Sequence, residues 1–527
     1  MDSIQSAITG LDIAVIFVYL AVVLAIGVWV SMRTKTGEDL FLGGRSLTWG
    51  AIGFSLFASN ISTTTIIGLT GSAYATGIAT SAFEWMSGVP LLLLAFVFAP
   101  LYLRAKVTTT PEWLDRRYSR GVRLYFSGLT IFFTVVVETA GGLYAGGVVM
   151  TTFFPDLSLW VSCIAVGLFA GGYAATGGLK AVVYTDVLQA IVLLVGCSIV
   201  TYLMFQSLDF SWATVREALP TGHLDMVKPT SDESLPWPGL FFGVWMLGFW
   251  YWITNQYVVQ RVLGARSLQD AQRGAILGGL LKCVPLFIMV LPGAMAVSLL
   301  PDLPEKDMVF PVMITQILPA GLTGLVLAGL VAAIMSTVDS TLNSSSTLVV
   351  HDFITRPEDD IDPRAARKYG SISTIVFMLI AVLVAPLIQF AGGIWDYLQQ
   401  AFSIIVPPIV AIYSLGALSR RVSDRAALVT LLSMHGLGVV LFGLGQIGVW
   451  PLHFTVTVPV MTVLSCVVHY GLSVTVLPPQ SAPDDMLIWR PHMAYSTAEG
   501  TTGGLLDVRL WGLVLTAVMA GILIAFW

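Results

Sequence analysis

Long apolar segments recur along the whole chain, and shorter segments that carry most of the charges separate them. The first apolar segment reads LDIAVIFVYLAVVLAIGVWV from Leu11. A helix of about 20 apolar residues is long enough to cross the hydrocarbon core of a bilayer. The pattern therefore predicts an all-α, polytopic membrane protein with about fourteen transmembrane helices. The predicted spans are residues 11–31, 50–78, 82–103, 124–151, 157–175, 181–206, 237–260, 274–300, 320–350, 369–391, 394–418, 426–447, 450–473 and 508–527.

The basic residues of the connecting segments orient these spans. If the N-terminus lies outside, Arg216, Lys228 and Lys306 fall in outside segments, and the other arginines and lysines, apart from Lys282 within a span, fall inside. Cytoplasmic loops of membrane proteins are enriched in arginine and lysine. The distribution therefore predicts that both termini lie on the extracellular or periplasmic side.

The composition agrees with a membrane protein and excludes several function classes. Of 527 residues, 56% are hydrophobic and 11% are charged, whereas a soluble protein has about 25% charged residues. The sequence contains neither a GxxxxGK[ST] phosphate-binding loop nor an HExxH zinc motif, which argues against ATP-driven transport and against a metalloprotease. We expect no enzyme activity, no nucleic-acid partner and no obligate protein partner.

Two spans contain polar residues in the middle of an apolar segment. The second span includes NISTTT at 60–65, and the seventh includes Thr254, Asn255 and Gln256. Side chains of Asn, Ser and Thr compete with the hydrogen bonds of a helix, and a helix in a bilayer is interrupted only where its free backbone groups line a cavity. Each stretch is therefore either an interruption or a continuous helix whose hydroxyls bond to their own turn.

The positions of the two polar stretches favour interruptions. They lie five spans apart, and transporters built from inverted repeats have interrupted helices at corresponding positions of their two halves. We therefore expect five parts along the chain. These are an extra N-terminal helix with a cytoplasmic link (1–49), a first repeat (50–206), an external loop (207–236), a second repeat (237–418) and three C-terminal helices (419–527).

The ninth span carries small and hydroxyl-bearing residues at helical spacing. These residues are Ala333, Ser336, Thr337, Ser340, Ser344 and Thr347. At about 100° per residue they share one face of a helix. Such a face is either a contact surface for a neighbouring helix or, opposite the free carbonyls of the second span, an oxygen cage for a hard cation such as sodium.

Six motifs in order make the chain similar to a known family. They are FASNIS with EWMS (57–62 and 84–87), TTTPEWLDRRYSR (108–120), GGLKAVVYTDVLQ (177–189), WYWITNQYVVQR (250–261), AAIMSTVDSTLNSSSTL (332–348) and WDYLQQAFSIIVPPI (395–409). The chain resembles the sodium/solute symporter family, and within it the sodium/glucose cotransporter branch, over all but the last three spans. The resemblance implies a five-plus-five inverted repeat with helices 1 and 6 interrupted, preceded by one helix and followed by three.

The resemblance also implies a sodium (Na⁺) site and a sugar pocket. The sodium ligands would be the carbonyls of Ala58, Ile61 and Ala333 and the hydroxyls of Ser336 and Thr337. The substrate-binding residues would be Asn60, Thr65, Glu84, Ser87, Tyr251, Lys282, Trp395 and Gln399, of which Trp395 is expected for its flat apolar surface. Two positions depart from the family pattern, since Thr65 and Gly248 replace longer polar residues, and both changes enlarge the pocket.

Two buried charges need an explanation of their own. A lysine within a span costs about 2.5–3.5 kcal/mol on insertion scales, so Lys282 needs a partner, for which Glu84 is a candidate. The alternative for Lys282 is a purely structural ion pair or a side chain that reaches the cytoplasm. Glu138, in the fourth span, has no motif around it, and we expect it to be structural.

These observations predict a multi-pass protein of the plasma (inner) membrane that imports a monosaccharide or cyclic polyol with sodium by alternating access. One alternative is a sodium-coupled symporter of a sugar acid or other carboxylate, although Glu84 would repel such a substrate. Another is a membrane nutrient sensor without transport.

A second sodium site is implied by relatives that couple two ions. Asp186 matches the aspartate of that site, and Ser336 and Ser340 keep its hydroxyls. Asp339 lies at the edge of the same helix face, and two carboxylates near one point repel each other unless a cation or a proton intervenes. The alternative is that Asp339 turns toward the cytoplasmic vestibule or an inside arginine.

We predict two sodium ions per substrate, with Asp186, Asp339 and Ser340 at the second site. Reversal-potential measurements in proteoliposomes give the ratio directly. Asp186→Asn should lower it from two toward one while the sodium binding that depends on Ser336 survives. A ratio of one for the wild-type protein would contradict the prediction.

Overall fold

The described residues of a computed structural model are almost entirely helical. They comprise residues 9–31, 43–107, 109–154, 156–173, 179–301, 303–354, 363–391, 393–495 and 507–527. Within these ranges the extended contacts are two isolated β-bridges, Leu47 with Ala265 and Lys228 with Pro236, and no strand forms. The predicted all-α class is confirmed.

The helices are numbered here in chain order. They are α1 (Gly10–Ser31), α2 (Trp49–Asn60), α3 (Thr63–Thr76), α4 (Ile78–Arg104), α5 (Thr110–Arg117), α6 (Arg120–Phe153), α7 (Leu159–Tyr173), α8 (Leu179–Gln206), α9 (Trp212–Ala218), α10 (Gly239–Thr254), α11 (Gln256–Leu263), α12 (Leu268–Leu299), α13 (Val309–Ile317), α14 (Leu322–Ile354), α15 (Pro363–Val384), α16 (Ile394–Leu418), α17 (Asp424–Gln446), α18 (Phe454–Thr475) and α19 (Val508–Ala525).

Many of these helices are long and apolar enough to cross a membrane. Ten of those in the described ranges qualify singly, and the bent pair of α2 and α3 qualifies as an eleventh span. Shorter apolar helices, Gly10–Val23, Leu159–Leu168 and Gly239–Thr254, lie at three more of the predicted positions. The multi-pass class is thus established, whereas the count of fourteen, the outside placement of both termini and the repeat boundaries stay predictions.

The second predicted span is interrupted, as its polar stretch predicts. α2 and α3 meet at an angle of 61°, because Ile61 (φ −78, ψ 76) and Ser62 (φ −85, ψ 169) leave the helical conformation. The Ser62 hydroxyl accepts a hydrogen bond from the Thr65 amide at 3.3 Å, which satisfies a free amide at the start of α3. Thr63 donates to the Leu330 carbonyl at 2.9 Å and so attaches α3 to α14.

The seventh predicted span is interrupted at Asn255. This residue is extended (φ −71, ψ 123) between α10 and α11. The Thr110 hydroxyl donates to the freed Thr254 carbonyl at 2.8 Å, and the Thr110 amide donates to the Gln256 side chain at 2.9 Å. The carbonyl that the interruption releases at Thr254 is therefore bonded within the protein, as a site inside a bilayer requires.

Close packing of α2 on α12 positions one side of the site. A Cβ at Gly53 would lie 2.6 Å from Leu277, and a Cβ at Gly274 would lie 2.6 Å from Ile52. Small residues let two membrane helices approach closely. The approach brings Lys282 of α12 beside the interruption between α2 and α3, where its ammonium contacts Asn60.

Candidate functional site

A cavity lies between the two interruptions. The volume open to the centre of a water molecule is about 100 Å³, and residues of α2, α3, α4, α6, α10, α11, α14 and α16 line it. Seven of the eight predicted substrate-binding residues are brought together on its wall: Asn60, Thr65, Glu84, Ser87, Tyr251, Trp395 and Gln399. The cavity wall combines hydrogen-bonding groups with flat aromatic surfaces.

Lys282, the eighth predicted residue, lies behind the wall. Its ammonium donates to the Glu84 carboxylate and to the Asn60 side-chain oxygen, and no part of its side chain is exposed. The indole ring of Trp252 lies 5.8 Å away. Lys282 therefore has the partner that the sequence suggested, does not extend to the cytoplasm, and orients two cavity residues from behind.

The Lys282 side chain can reach both partners because α12 is locally irregular. Residues 282–284 form a turn ahead of Pro285, where the regular hydrogen-bonding pattern of α12 is broken. A proline inside a helix removes one backbone hydrogen bond and bends the helix. Pro285 was the sequence signal for this feature, and the sequence analysis did not use it.

Aromatic side chains lie at two ends of the cavity. The Tyr251 hydroxyl donates to the Ser59 carbonyl at 2.9 Å, which links α10 to the last turn of α2. The rings of Phe83 and Trp395 meet edge to face with centroids 5.7 Å apart. A ring-shaped ligand between these groups would contact apolar surface while its polar groups face the side walls.

Two of the wall residues use their polar groups in different ways. The Thr65 hydroxyl donates to the Asn60 carbonyl at 2.8 Å, so it supports the interruption as well as facing the cavity. The Gln399 amide has no hydrogen-bond partner within the described part of the chain. Gln399 is thus free to bind a ligand, whereas Thr65 is partly engaged.

The predicted sodium ligands lie where the interruption meets α14. In a continuous helix the Ser62 amide would donate to the Ala58 carbonyl, and the Thr65 amide would donate to the Ile61 carbonyl. In the described structure the Ser62 amide donates to the Asn60 carbonyl instead, and the Thr65 amide donates to the Ser62 hydroxyl. The carbonyls of Ala58 and Ile61 therefore lack their helical donors. α14 packs against both α2 and α3. It carries Ala333, which is buried, and Thr337, which lines the cavity. The Ser336 side chain lies outside the described residues.

Asp186 of the predicted second sodium site is engaged by an arginine. The fully buried Asp186 carboxylate accepts hydrogen bonds from Arg261 at 2.9 Å, Ser55 at 2.9 Å and Ser59 at 3.2 Å. Ser340 is partly exposed, and the Asp339 side chain lies outside the described residues. The structure thus places Asp186 beside the last turns of α2, where its partner Ser59 directly follows Ala58.

Arg261, one of the basic residues that the charge distribution assigns to inside segments, lies in the last turn of α11 and is 1% exposed. Besides Asp186 it bonds to the Ser55 hydroxyl at 2.7 Å and to the Tyr257 carbonyl. A buried ion pair is costly to break because one charge would remain unpaired, so Arg261 links α11 firmly to α2 and α8.

Glu138, for which the sequence favours a structural role, lines the cavity and is 9% exposed. One carboxylate oxygen accepts a hydrogen bond from Asn255 at 3.1 Å, and the other, Oε2, is buried without a partner. No local motif could have indicated this position, because its partner lies 117 residues further along the chain.

The chain matches the model of the Sodium:solute symporter family over residues 40–434. Two curated relatives illustrate the similarity. The chain is 34% identical over 463 residues to sodium/glucose cotransporter 1 of Ovis aries, with 79% of this chain and 69% of the relative covered. It is 32% identical over 464 residues to the sodium/glucose cotransporter of Vibrio parahaemolyticus, with 81% and 84% covered.

Solved structures support the same fold at lower identity. A Na⁺-coupled sialic acid symporter in a substrate-bound outward-open state aligns with a TM-score of 0.75 at 22% identity, over 88% of this chain and 98% of that chain. Mhp1, a nucleobase-cation-symport-1 family transporter in a closed conformation, aligns with a TM-score of 0.55 at 14% identity, over 84% and 96%. These similarities concern the fold alone.

The Lys282–Glu84 pair gives a prediction about stability. Lys282→Met would leave the Glu84 carboxylate buried without its cation, and breaking such a pair costs about 3–5 kcal/mol. Adding Glu84→Gln removes the stranded charge and should recover much of the loss. Thermal unfolding of the purified protein measures both effects.

Arg420→Met is a suitable control for this measurement. Arg420 pairs with Asp485 at the surface, where the two side chains are 51% and 64% exposed, and exposed pairs contribute about 0–1 kcal/mol. Equal melting temperatures for Lys282→Met and the double variant would show that Glu84 does not depend on the lysine.

Proposed function

We propose that this chain, which belongs to the sodium:solute symporter family, imports a neutral monosaccharide or cyclic polyol by alternating access. As a member of that family it is a sodium-coupled solute symporter and a multi-pass protein of the plasma membrane. Its curated relatives are transporters, which agrees with the expectation that it is not an enzyme. The substrate class is the part that we propose.

The observation that carries this proposal is the composition of the cavity wall. Glu84, Asn60, Ser87 and Gln399 supply hydrogen-bond donors and acceptors, and Tyr251, together with Trp395, supplies flat apolar surface. Binding sites for small molecules combine mostly apolar walls with a few convergent polar groups. A sugar or cyclic polyol has the complementary shape, with hydroxyls around a ring that also has an apolar face.

The sugar-acid alternative loses its main support in the structure. It relied on Lys282 to pair with a substrate carboxylate. The Lys282 ammonium is instead bonded to Glu84 and Asn60 and has no exposed surface. Of this pair, only Glu84 lines the cavity, and its negative charge would repel a carboxylate substrate. This arrangement supports a substrate without a carboxylate.

The first sodium ion would bind at the interruption between α2 and α3. The proposed ligands are the carbonyls of Ala58, Ile61 and Ala333 and the hydroxyls of Ser336 and Thr337. The Ser62 and Thr65 amides bond elsewhere, which leaves the Ala58 and Ile61 carbonyls without their helical donors and supports this assignment. Sodium is a hard cation that prefers such oxygen ligands. Asn60 lies in the same interruption and faces the cavity, so ion and sugar would contact one segment.

The second sodium ion stays a prediction. The Asp186 carboxylate is bonded to Arg261, Ser55 and Ser59 in this conformation. An ion at Asp186, Asp339 and Ser340 would therefore have to share that carboxylate with Arg261 or displace it. The stoichiometry measurement described above tests this assignment independently of the first site.

Uptake into proteoliposomes tests the proposed function. Radiolabelled hexoses and cyclic polyols are added outside vesicles with an inward sodium gradient, and choline replaces sodium at the same pH in the control. We expect at least one of these substrates to accumulate only with the sodium gradient. Uptake that is independent of sodium, or the absence of uptake for every neutral sugar and polyol, would overturn the proposal.

Substitutions should separate sugar binding from sodium binding. Gln399→Ala removes a polar partner of the substrate, which typically costs 1–3 kcal/mol or roughly 5- to 150-fold in affinity, and sodium binding to the empty protein should survive. Ser336→Ala and Thr337→Ala should weaken sodium activation more than sugar affinity at saturating sodium. Calorimetric titration of each variant with each ligand measures the effects, and an equal loss of both ligands in every variant would contradict the two site assignments.

A further inference from the structure

The cavity contains a carboxylate that no other feature of the protein explains. Glu138 of α6 faces the cavity, and its Oε2 atom is buried without a hydrogen-bond partner. Within the described ranges Glu138 forms no ion pair with an arginine, lysine or histidine. Buried polar atoms in native proteins almost always have partners, and ionisable residues within membrane spans are usually functional.

A second unsatisfied acceptor lies on the residue that holds Glu138. Asn255 donates to Glu138 Oε1 at 3.1 Å, and its own side-chain oxygen, Oδ1, is buried without a partner. Asn255 is 1% exposed and forms the interruption between α10 and α11. Neither of these two acceptor atoms has a donor within hydrogen-bond distance in the described structure, and the hydroxyls of Thr134 and Tyr257 lie near the Glu138 carboxylate.

The charges around the cavity distinguish Glu138 from the other acidic residues. Glu84 is neutralised by Lys282, and Asp186 is paired with Arg261. Both cations are fully engaged by these and neighbouring contacts. When ionised, Glu138 therefore gives this part of the cavity a negative charge that a ligand can balance.

We propose that Glu138 is a specificity-determining residue that binds a hydrogen-bond donor of the substrate, so that the preferred substrate is a sugar or cyclic polyol carrying a protonated amine. This inference rests on the proposed sodium-coupled uptake of a sugar or cyclic polyol, and it replaces the neutral substrate by one that carries a single positive charge. A protonated amine has three donors and a hydroxyl has one. The amine can therefore donate to the Glu138 carboxylate and keep two donors for other acceptors of the cavity wall.

The donor count ranks three classes of substrate. A protonated amine supplies charge and several donors, a hydroxyl supplies one donor without charge, and a carboxylate supplies no donor and adds a like charge. Hydrogen bonds between charged partners are roughly twice as strong as those between neutral partners. The expected order of affinity is amino sugar, then neutral sugar, then sugar acid.

Binding at Glu138 would also act on a moving part of the protein. Its Asn255 partner occupies the extended position between α10 and α11, and interrupted helices surround the substrate site in transporters of this type. A ligand that binds Glu138 is therefore linked to the interruption through the hydrogen bond between Asn255 and Glu138.

Competition binding tests the proposal with the full-length protein at saturating sodium. The probes are glucose, glucose derivatives with an amine at carbon 2, 3 or 6, and glucuronate, at one pH at which the amines are protonated. Wild-type protein should bind at least one amino sugar roughly 10- to 100-fold more tightly than glucose. Glu138→Gln keeps the acceptor for Asn255 and removes the charge, so it should abolish this preference and improve glucuronate binding relative to glucose.

Glu305→Gln is the matched control, because it makes the same change at an exposed residue of the external surface. Glu305→Gln should keep the wild-type order of affinities. The melting temperature of Glu138→Gln should also stay near that of the wild type. The inference is overturned if no amino sugar is preferred, or if Glu138→Gln keeps the preference. Sodium-dependent glucose binding without amine preference would overturn this inference alone, whereas the absence of binding for every sugar would overturn the proposed function with it.

Discussion

A bilayer offers no water to a broken helix, and this constraint determines where the site can form. Every backbone group that an interruption releases must be bonded by the protein or by a ligand. Next to Asn255 the protein supplies the partner itself, since the Thr110 hydroxyl donates to the Thr254 carbonyl. Around Ile61 it supplies a partner for the Thr65 amide through Ser62. The carbonyls of Ala58 and Ile61 lose their helical amide donors there, and a cation is the ligand that would complete them.

The same constraint explains why charges near the cavity occur in pairs. Lys282 with Glu84, and Arg261 with Asp186, each place two opposite charges where neither could be buried alone. Each pair also connects separate helices, so that α12 holds the start of α4, and α11 holds α8. Replacing one member strands the other, which costs far more than an exposed pair contributes. Glu138 departs from this pattern within the described structure, since it lies on the cavity wall without a cationic partner.

Sequence patterns predicted the elements of this site better than its contacts. Apolar runs predicted the helices, and the polar stretch at 60–65 and Asn255 predicted both interruptions, because these signals are local. Seven of the residues named from the resemblance and from aromatic surface lie together on the cavity wall, and their role as substrate ligands stays a prediction. The partners of Arg261 and Glu138 lie 75 and 117 residues away, so only packing reveals the ion pair of Arg261 with Asp186 and the hydrogen bond of Glu138 with Asn255. Lys282 was paired correctly with Glu84, but sequence could not show that it lies behind the wall.

We propose that ion and substrate share the interruption between α2 and α3, so that each stabilises the form that binds the other. Thermodynamic coupling between two ligands is reciprocal. Calorimetric titrations of sugar with and without sodium, and of sodium with and without sugar, measure it from both directions. The account predicts that sodium raises sugar affinity and that sugar raises sodium affinity by the same factor, greater than one. Sugar affinity that does not change between sodium and choline would contradict it.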